Sequence, residues 1–333
     1  MRPLKVLTWH IHGSYLYYLA QTRAEFYLPV KDGFPEGYRG RQGNFPWPDN
    51  VHDVSSTEVR NLKLDCILFQ SRKNYLEDQH EILSSAQLTL PRIYLEHDPP
   101  REHPTDTRHL VDDPNVLVVH VTPFNSLMWD SGRSPTRIIE HGVLVPEGVC
   151  YSGEIERGLV VVNNMSLRGR RLGADIFDRV RELVPLDLVG IASEEARGLG
   201  DVPHYELPAF EARYRFFFNP IRYTSLGLAL CEAMMLGMPV VALATTEVAT
   251  VIENGVSGYI DTDIDRLVGQ MRRLLADPSE ARRLGNGARH RAIERFNIER
   301  FSRDWEAAFA LVTGNPYAAG AFAGLIPSTG GNT

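Results

Sequence analysis

Three groups of polar residues have the types and spacing to bind an anionic substrate. Arg168, Arg170 and Arg171 follow the apolar run GLVVVNN and precede a helical pattern. Open α/β sheets bind ligands at this strand-to-helix edge. Two guanidiniums on a diphosphate there would make strong charge-assisted contacts, although a solvated basic loop has the same sequence. His10-Ile11-His12-Gly13-Ser14-Tyr15 follows the first strand-like run directly, and His97 closes another, in Tyr94-Leu95-Glu96-His97-Asp98. A neutral imidazole can donate one hydrogen bond and accept another; a His near a strand end is also a common structural residue. The third group lies in 219–260. Ser225 sits where a helix would start, and Leu226, Leu230 and Met234 recur at helical spacing, with Leu228 and Met235 on a neighbouring row. A helix start offers unpaired N–H groups and a positive dipole end, and Gly227 lets a ligand approach the backbone, so a diphosphate could be held there. Glu232 lies two turns on from Thr224–Ser225, within reach only of an obliquely placed ligand. The same pattern also describes a core helix with a capped start and a solvated Glu232.

The elements that would position these groups alternate as in a parallel sheet with crossover helices. Strands are expected at Leu4–Trp9, Phe26–Val30, Asp65–Gln70, Arg92–Glu96, Val116–Val121 and Thr136–Glu140, and helices near 14–24, 74–85 and 122–130. Lys31–His52 is rich in Pro, Gly and aromatics without a clear period and reads as a lid, an acceptor loop or a variable insertion. A turn-rich stretch from Ile139 to about Gly158 separates two halves. The second half should hold strands at Leu159–Asn163, Leu186–Gly190 and 216–219. Its helices are expected near 172–183, 263–276, 279–295 and 298–313, before a Gly/Ala/Pro-rich tail. A length of 333 residues suits two domains, placed at 1–150 and 151–313, with a tail over 314–333.

Composition narrows the function classes. Apolar content of 43% with 23% charged residues describes a soluble, enzyme-like chain. A net charge of −7 argues against bulk affinity for nucleic acid or anionic lipid. Cys66, Cys150 and Cys231 are far apart and lack zinc spacing, which fits a reducing, cytoplasmic setting. The N-terminus reads as a first strand rather than a signal peptide, and no apolar run approaches a membrane span, leaving peripheral membrane contact open. Asp112-Asp113 and Asp261-Thr262-Asp263 are better explained by a turn and a helix cap than by a metal site, so no metal or cofactor is expected.

The segment 219–260 resembles the donor-binding segment of GT-B glycosyltransferases of family 4, the group 1 glycosyl transferases. Leu226-Gly227-Leu228, Glu232-Ala233-Met234, Gly237, Pro239-Val240-Val241 and Asn254-Gly255 with Gly258 fall in register with that family's pattern, as does His141-Gly142-Val143 with its linker. The resemblance is specific over about 155–313 and looser over 1–150. It implies an α/β GT-B fold: two Rossmann-like domains with parallel sheets facing across a cleft, the last helix bracing the first domain. It implies a retaining glycosyltransferase using a nucleoside-diphosphate sugar and a glycan, lipid or small-molecule acceptor.

The resemblance also carries residue roles. Glu232 would bind the ribose, with Ser225, Leu226, Gly227 and Leu228 at the diphosphate. Arg168 and Arg171 would stabilise the leaving group, although the spacing is compressed and the second residue is not Lys. Gly13 would lie beside the donor phosphate, and His12 and Ser14 on the acceptor side. His97 would contact the donor sugar or acceptor. Thr224 departs from the pattern: the family places there a Glu that touches the transferred sugar. Glu247 falls where donor-sugar contacts are expected, though an exposed helix-start Glu explains it equally well. Two rival readings follow, a silent nucleotide-sugar-binding protein and a nucleotide-sugar epimerase on the same architecture.

Overall fold

The protein is described as a computed structural model over residues 2–43 and 45–314, so the expected tail beyond Gly314 lies outside the described residues. The chain forms two parallel α/β sheets. The first holds β1 (Lys5–Thr8), β2 (Glu25–Val30), β3 (Val51–Ser55), β4 (Cys66–Phe69), β5 (Arg92–Glu96), β6 (Val116–His120) and β7 (Thr136–Ile138), in the order β3-β2-β1-β4-β5-β6-β7. Its crossovers carry α1 (Gly13–Leu19), α2 (Gln79–Ile82), which continues a π-helical turn over Asn74–Asp78, and α3 (Pro123–Met128). The second sheet holds β8 (Ile155–Val161), β9 (Leu186–Val189), β10 (Tyr214–Asn219), β11 (Val240–Leu243) and β12 (Gly258–Asp261), in the order β12-β11-β10-β8-β9. Around it lie α4 (Met165–Arg168), α5 (Ala174–Arg181), α6 (Leu207–Glu211), α7 (Leu228–Leu236), α8 (Val248–Val251), α9 (Ile264–Ala276), α10 (Pro278–Arg295) and α11 (Ile298–Thr313).

The central strands are continuous apolar runs because both faces of each sheet are covered. Every residue of β4, β6, β10 and β11 is buried. Two expectations need correction. The stretch 31–52 is not aperiodic to its end: Val51 opens β3, an edge strand with alternating exposure that pairs only with β2. The helix expected to start at Ser225 starts at Leu228, because the chain from Ser225 to Gly227 runs out to meet the first domain and Gly227 caps the helix with extended backbone angles (φ −73°, ψ 134°).

The carboxyl ends of the two sheets face one another, and the last two helices hold them there. Within α11, Trp305 Nε1 donates to Tyr15 Oη at 3.0 Å and Glu306 pairs with Arg23. Phe301 packs so closely on Gly142 that a Cβ there would lie 2.3 Å from it. Arg295 bridges Glu140 at 2.5 Å and Glu247 at 2.6 Å. Glu247 also accepts from the Phe124 backbone N–H at 2.9 Å. It is 2% exposed, so it is a buried inter-domain clamp and not an exposed helix-start residue.

The acidic pairs take local roles. Asp113 accepts from Asn115 N–H in a turn, and Asp261 accepts from Asp263 N–H. Asp263 caps α9 through the N–H groups of Asp265 and Arg266. Cys66, Cys150 and Cys231 are unpaired thiols. Among the described residues no helix is long and apolar enough to cross a membrane.

Where α6 packs against α7, Glu211 is fully buried and neither carboxylate oxygen has a hydrogen-bond partner. Burial first, and the nearby Glu232 second, push its pKa well above the ordinary carboxylate value, so it is held as a neutral acid. Its folded pKa exceeds its unfolded one. The stability this site contributes is therefore complete below the unfolded value and is lost as pH rises toward the folded one. Glu211→Gln, a neutral isostere, is expected to be more stable than wild type at pH 7–8. The gap should close towards pH 4 with a slope approaching about 1.4 kcal/mol per pH unit. Urea denaturation across that range checks this; a pH-independent difference would contradict it.

Candidate active-site cleft

The two sheets enclose a cleft of about 940 Å³, within the range of ligand-binding pockets. On the first-domain side, β1 delivers His10, His12, Gly13 and Ser14, and β5 delivers His97 and Asp98. His12 and His97 lie ring to ring, with centroids 4.1 Å apart, and Tyr15 meets His97 edge-on at 4.9 Å. Gln70 sets the His97 tautomer. Its amide N–H groups donate to Thr8 Oγ1 (2.9 Å) and to the Trp9 carbonyl (3.0 Å), which turns its oxygen toward His97 Nε2 at 3.2 Å. The imidazole therefore donates through Nε2 and keeps Nδ1 as an acceptor. Burial, with His12 and His141 beside it, drives the His97 pKa well below its ordinary value. Burial also lowers His12 and takes His141, whose Nε2 donates to the Leu226 carbonyl at 3.0 Å, down to about 4. All three rings are neutral at neutral pH.

Gly13 lines the cleft at the start of α1. An added Cβ there would lie 2.5 Å from Phe45 of the 31–50 loop. That loop covers one side of the cleft through Glu36, Arg39, Gln42 and Phe45. Phe45 reaches His204 of the second domain, with centroids 4.9 Å apart.

The second-domain wall holds Arg168, Leu172, Ser225, Leu226, Gly227 and Leu228, with Glu232 further along α7. A Cβ on Gly227 would meet nothing within 4 Å, so the start of α7 faces open space. Arg168 reaches the cleft. Arg171 is not part of the lining; burial, then the neighbouring Arg101 charge, lowers its guanidinium pKa, partly offset by Asp98. Glu232 is 7% exposed. It accepts from Tyr18 Oη at 2.6 Å and has His204 Nε2 at 3.7 Å, so its carboxylate is aimed at the cleft from a fixed position.

Three consecutive hydroxyls tie the two walls together. Tyr223 donates to the Pro100 carbonyl at 2.9 Å, Thr224 to Asp98 Oδ1 at 3.4 Å, and Ser225 to the His97 carbonyl at 2.6 Å. The Ser225 hydroxyl is thus engaged with the first domain rather than turned to a ligand. Sequence reading placed His97, Thr224, Leu226 and Glu232 in the site but missed their partners: Gln70 for His97, Asp98 for Thr224, His141 for the Leu226 carbonyl, and Tyr18 and His204 for Glu232. The signal for Asp98 was its position directly after His97; Tyr18 and His204 carried none, because they approach from remote elements.

Residues 192–291 match the family described as glycosyl transferases group 1. Over 110 residues the chain is 34% identical to the MMP alpha-(1->4)-mannosyltransferase of Mycolicibacterium hassiacum, covering 30% of this chain and 27% of that protein. Over 102 residues it is 32% identical to the GDP-mannose-dependent alpha-(1-6)-phosphatidylinositol monomannoside mannosyltransferase of Mycolicibacterium smegmatis, covering 28% and 27%. The aligned region spans about a quarter of either relative's length. Among solved structures, the sucrose-phosphate synthase of Thermosynechococcus elongatus superposes with a TM-score of 0.68 at 15% identity, covering 94% of this chain and 100% of that one. Anabaena HepE in complex with UDP superposes with a TM-score of 0.66 at 14% identity, covering 93% and 100%. The chain has the two-domain GT-B architecture, and its second domain carries the segment that marks the group 1 glycosyl transferases.

Proposed function

We propose that this protein is a glycosyltransferase that moves a sugar from a nucleoside-diphosphate sugar to an acceptor hydroxyl with retention of anomeric configuration. The observation that carries the reading is the paired geometry of α7. Its open N-terminus at Gly227 and its fixed carboxylate at Glu232 line one cleft with a guanidinium, Arg168. A diphosphate suits the helix start, where the first N–H groups lack intrahelical acceptors and the dipole is positive. The ribose hydroxyls suit Glu232, whose Oε1 is already held by Tyr18.

In this reading the sugar lies between the diphosphate and the histidine pair. Arg168 and the α7 start stabilise the charge that grows on the departing phosphate oxygen. The acceptor attacks the anomeric carbon from the side the phosphate leaves. The leaving oxygen then takes the acceptor's proton, so no side chain has to serve as the general base. His97, neutral and with Nδ1 free to accept, holds a sugar or acceptor hydroxyl without adding charge beside the reacting carbon. His12 and Ser14, on the same wall, face the acceptor side, and no metal or other cofactor is required. The enclosing walls keep water from the anomeric carbon. The donors to try first are GDP-mannose, used by one of the mannosyltransferases with which the chain shares sequence, and UDP-glucose, since UDP is bound in a structure of the same fold. Acceptors to try with them are glycans and glycolipids.

Two substitutions test the assignment of α7. Glu232→Ala should weaken nucleoside-diphosphate binding by about 1–3 kcal/mol through loss of charged hydrogen bonds to the ribose. Isothermal titration with GDP and UDP reads this, and unchanged affinity would contradict the ribose assignment. Gly227→Ala leaves the fold intact, since its methyl meets open space. It should nevertheless weaken nucleoside-diphosphate binding at least several-fold by occupying the phosphate's approach; a melting curve beside the titration separates the two effects.

A further inference from the structure

Asp98 is a carboxylate placed where the proposed donor has no positive charge. Its side chain lines the cleft beside the His12–His97 pair. Its backbone is fixed on both sides: the N–H donates to Glu96 Oε1 at 2.9 Å, and the carbonyl accepts from Trp129 Nε1 at 2.8 Å. Glu96 is itself held by His109 at 3.2 Å. Arg101 pairs with Oδ2, and the Thr224 hydroxyl donates to Oδ1 at 3.4 Å across the domain boundary. The carboxylate is thus presented in one orientation by two domains at once.

The chemistry of the cleft limits what such a group can meet. A carboxylate repels a diphosphate, and the ribose end of the cleft already has its own carboxylate in Glu232. What remains near the histidines is an uncharged, hydroxyl-bearing part of the ligand, for which an oriented carboxylate is a strong acceptor. The residue at 224 agrees with this. A neutral hydroxyl complements Asp98 as a hydrogen-bond donor, whereas a second carboxylate at 224 would face it at contact distance with like charge. We propose that Asp98, oriented by Thr224 and Arg101, is the specificity-determining residue for the transferred sugar and accepts hydrogen bonds from its hydroxyls. Thr224 is a positioning residue, acting through Asp98. The inference rests on the reading of the cleft as a nucleotide-sugar site.

The test uses the full chain and two pairs of ligands, GDP with GDP-mannose and UDP with UDP-glucose, titrated by calorimetry. For the pair that binds, Asp98→Asn should leave the nucleoside-diphosphate Kd within about two-fold and weaken the nucleotide sugar by about 10- to 100-fold. Adding Thr224→Glu to the Asp98→Asn background returns a carboxylate to the same spot and should recover most of that loss, while Thr224→Glu alone should weaken the nucleotide sugar. The unmodified protein supplies a readout independent of any variant's folding. Donors lacking one sugar hydroxyl should bind about ten-fold or more weakly when the missing hydroxyl is the one Asp98 reads. Equal loss for both ligands in Asp98→Asn, or no loss for either, would overturn the assignment, as would indifference of the wild type to every deoxy donor. Failure of the wild type to bind any of the four ligands would overturn the reading of the cleft itself. Binding of nucleoside diphosphates without an Asp98-dependent sugar contribution would overturn only the present inference.

Discussion

The cleft exists because two separately folded sheets are held at one distance, and the contact that does this at the site itself is the row of hydroxyls from Tyr223 to Ser225. Each donates to the 97–100 loop, so the segment leading into α7 and the segment leaving β5 are one unit. The start of α7 is displaced to Leu228 by that contact, which leaves Gly227 facing the open cleft. Behind it, Arg295 joins Glu140 to the buried Glu247, and Glu247 reaches Phe124 of the first domain. A buried carboxylate of this kind is costly to leave unpaired, so the clamp favours the domain arrangement in which Arg295 and the Phe124 N–H are both present.

Neutral, cationic and anionic side chains all line the cleft. The histidines on the first-domain wall are neutral, since burial and mutual proximity disfavour protonation. Positive charge comes from Arg168 on the second-domain wall, from Arg39 of the 31–50 loop, from Arg101 paired with Asp98, and from the dipole of α7. Among the carboxylates that line it, Glu232 is held beside Tyr18 and His204, and Asp98 beside Thr224 and Arg101.

Much of this was legible in the sequence, for reasons that differ by element. Parallel strands covered on both faces are continuous apolar runs, so β4, β6 and the Phe216–Phe218 run of β10 stand out as such. The register of Glu232, Gly237, Pro239 and Gly258 lies within the stretch 192–291 that matches the group 1 glycosyl transferases. The edge strand β3 did not stand out, because Val51–Ser55 is half exposed and follows a long stretch of Pro, Gly and aromatic residues. Gly13 has the ring of Phe45 packed against it, a contact across about thirty residues that no local pattern contains. Glu247 read equally as a donor-sugar contact or an exposed helix-start residue; its partners Arg295 and Phe124 come from elements far along the chain. Thr224, judged by its own position, fitted a different donor, compensation by another group, or an inactive chain. Its meaning appears only when Asp98, from the other domain, is seen beside it.

The most direct test of the account is a crystal structure of the protein with GDP or UDP bound. The account predicts phosphate density against the backbone of Gly227 and Leu228, with Arg168 turned toward it and the ribose hydroxyls on Glu232. Nucleotide density elsewhere on the molecule, or a nucleotide in the cleft with its phosphates directed at Asp98, would contradict it.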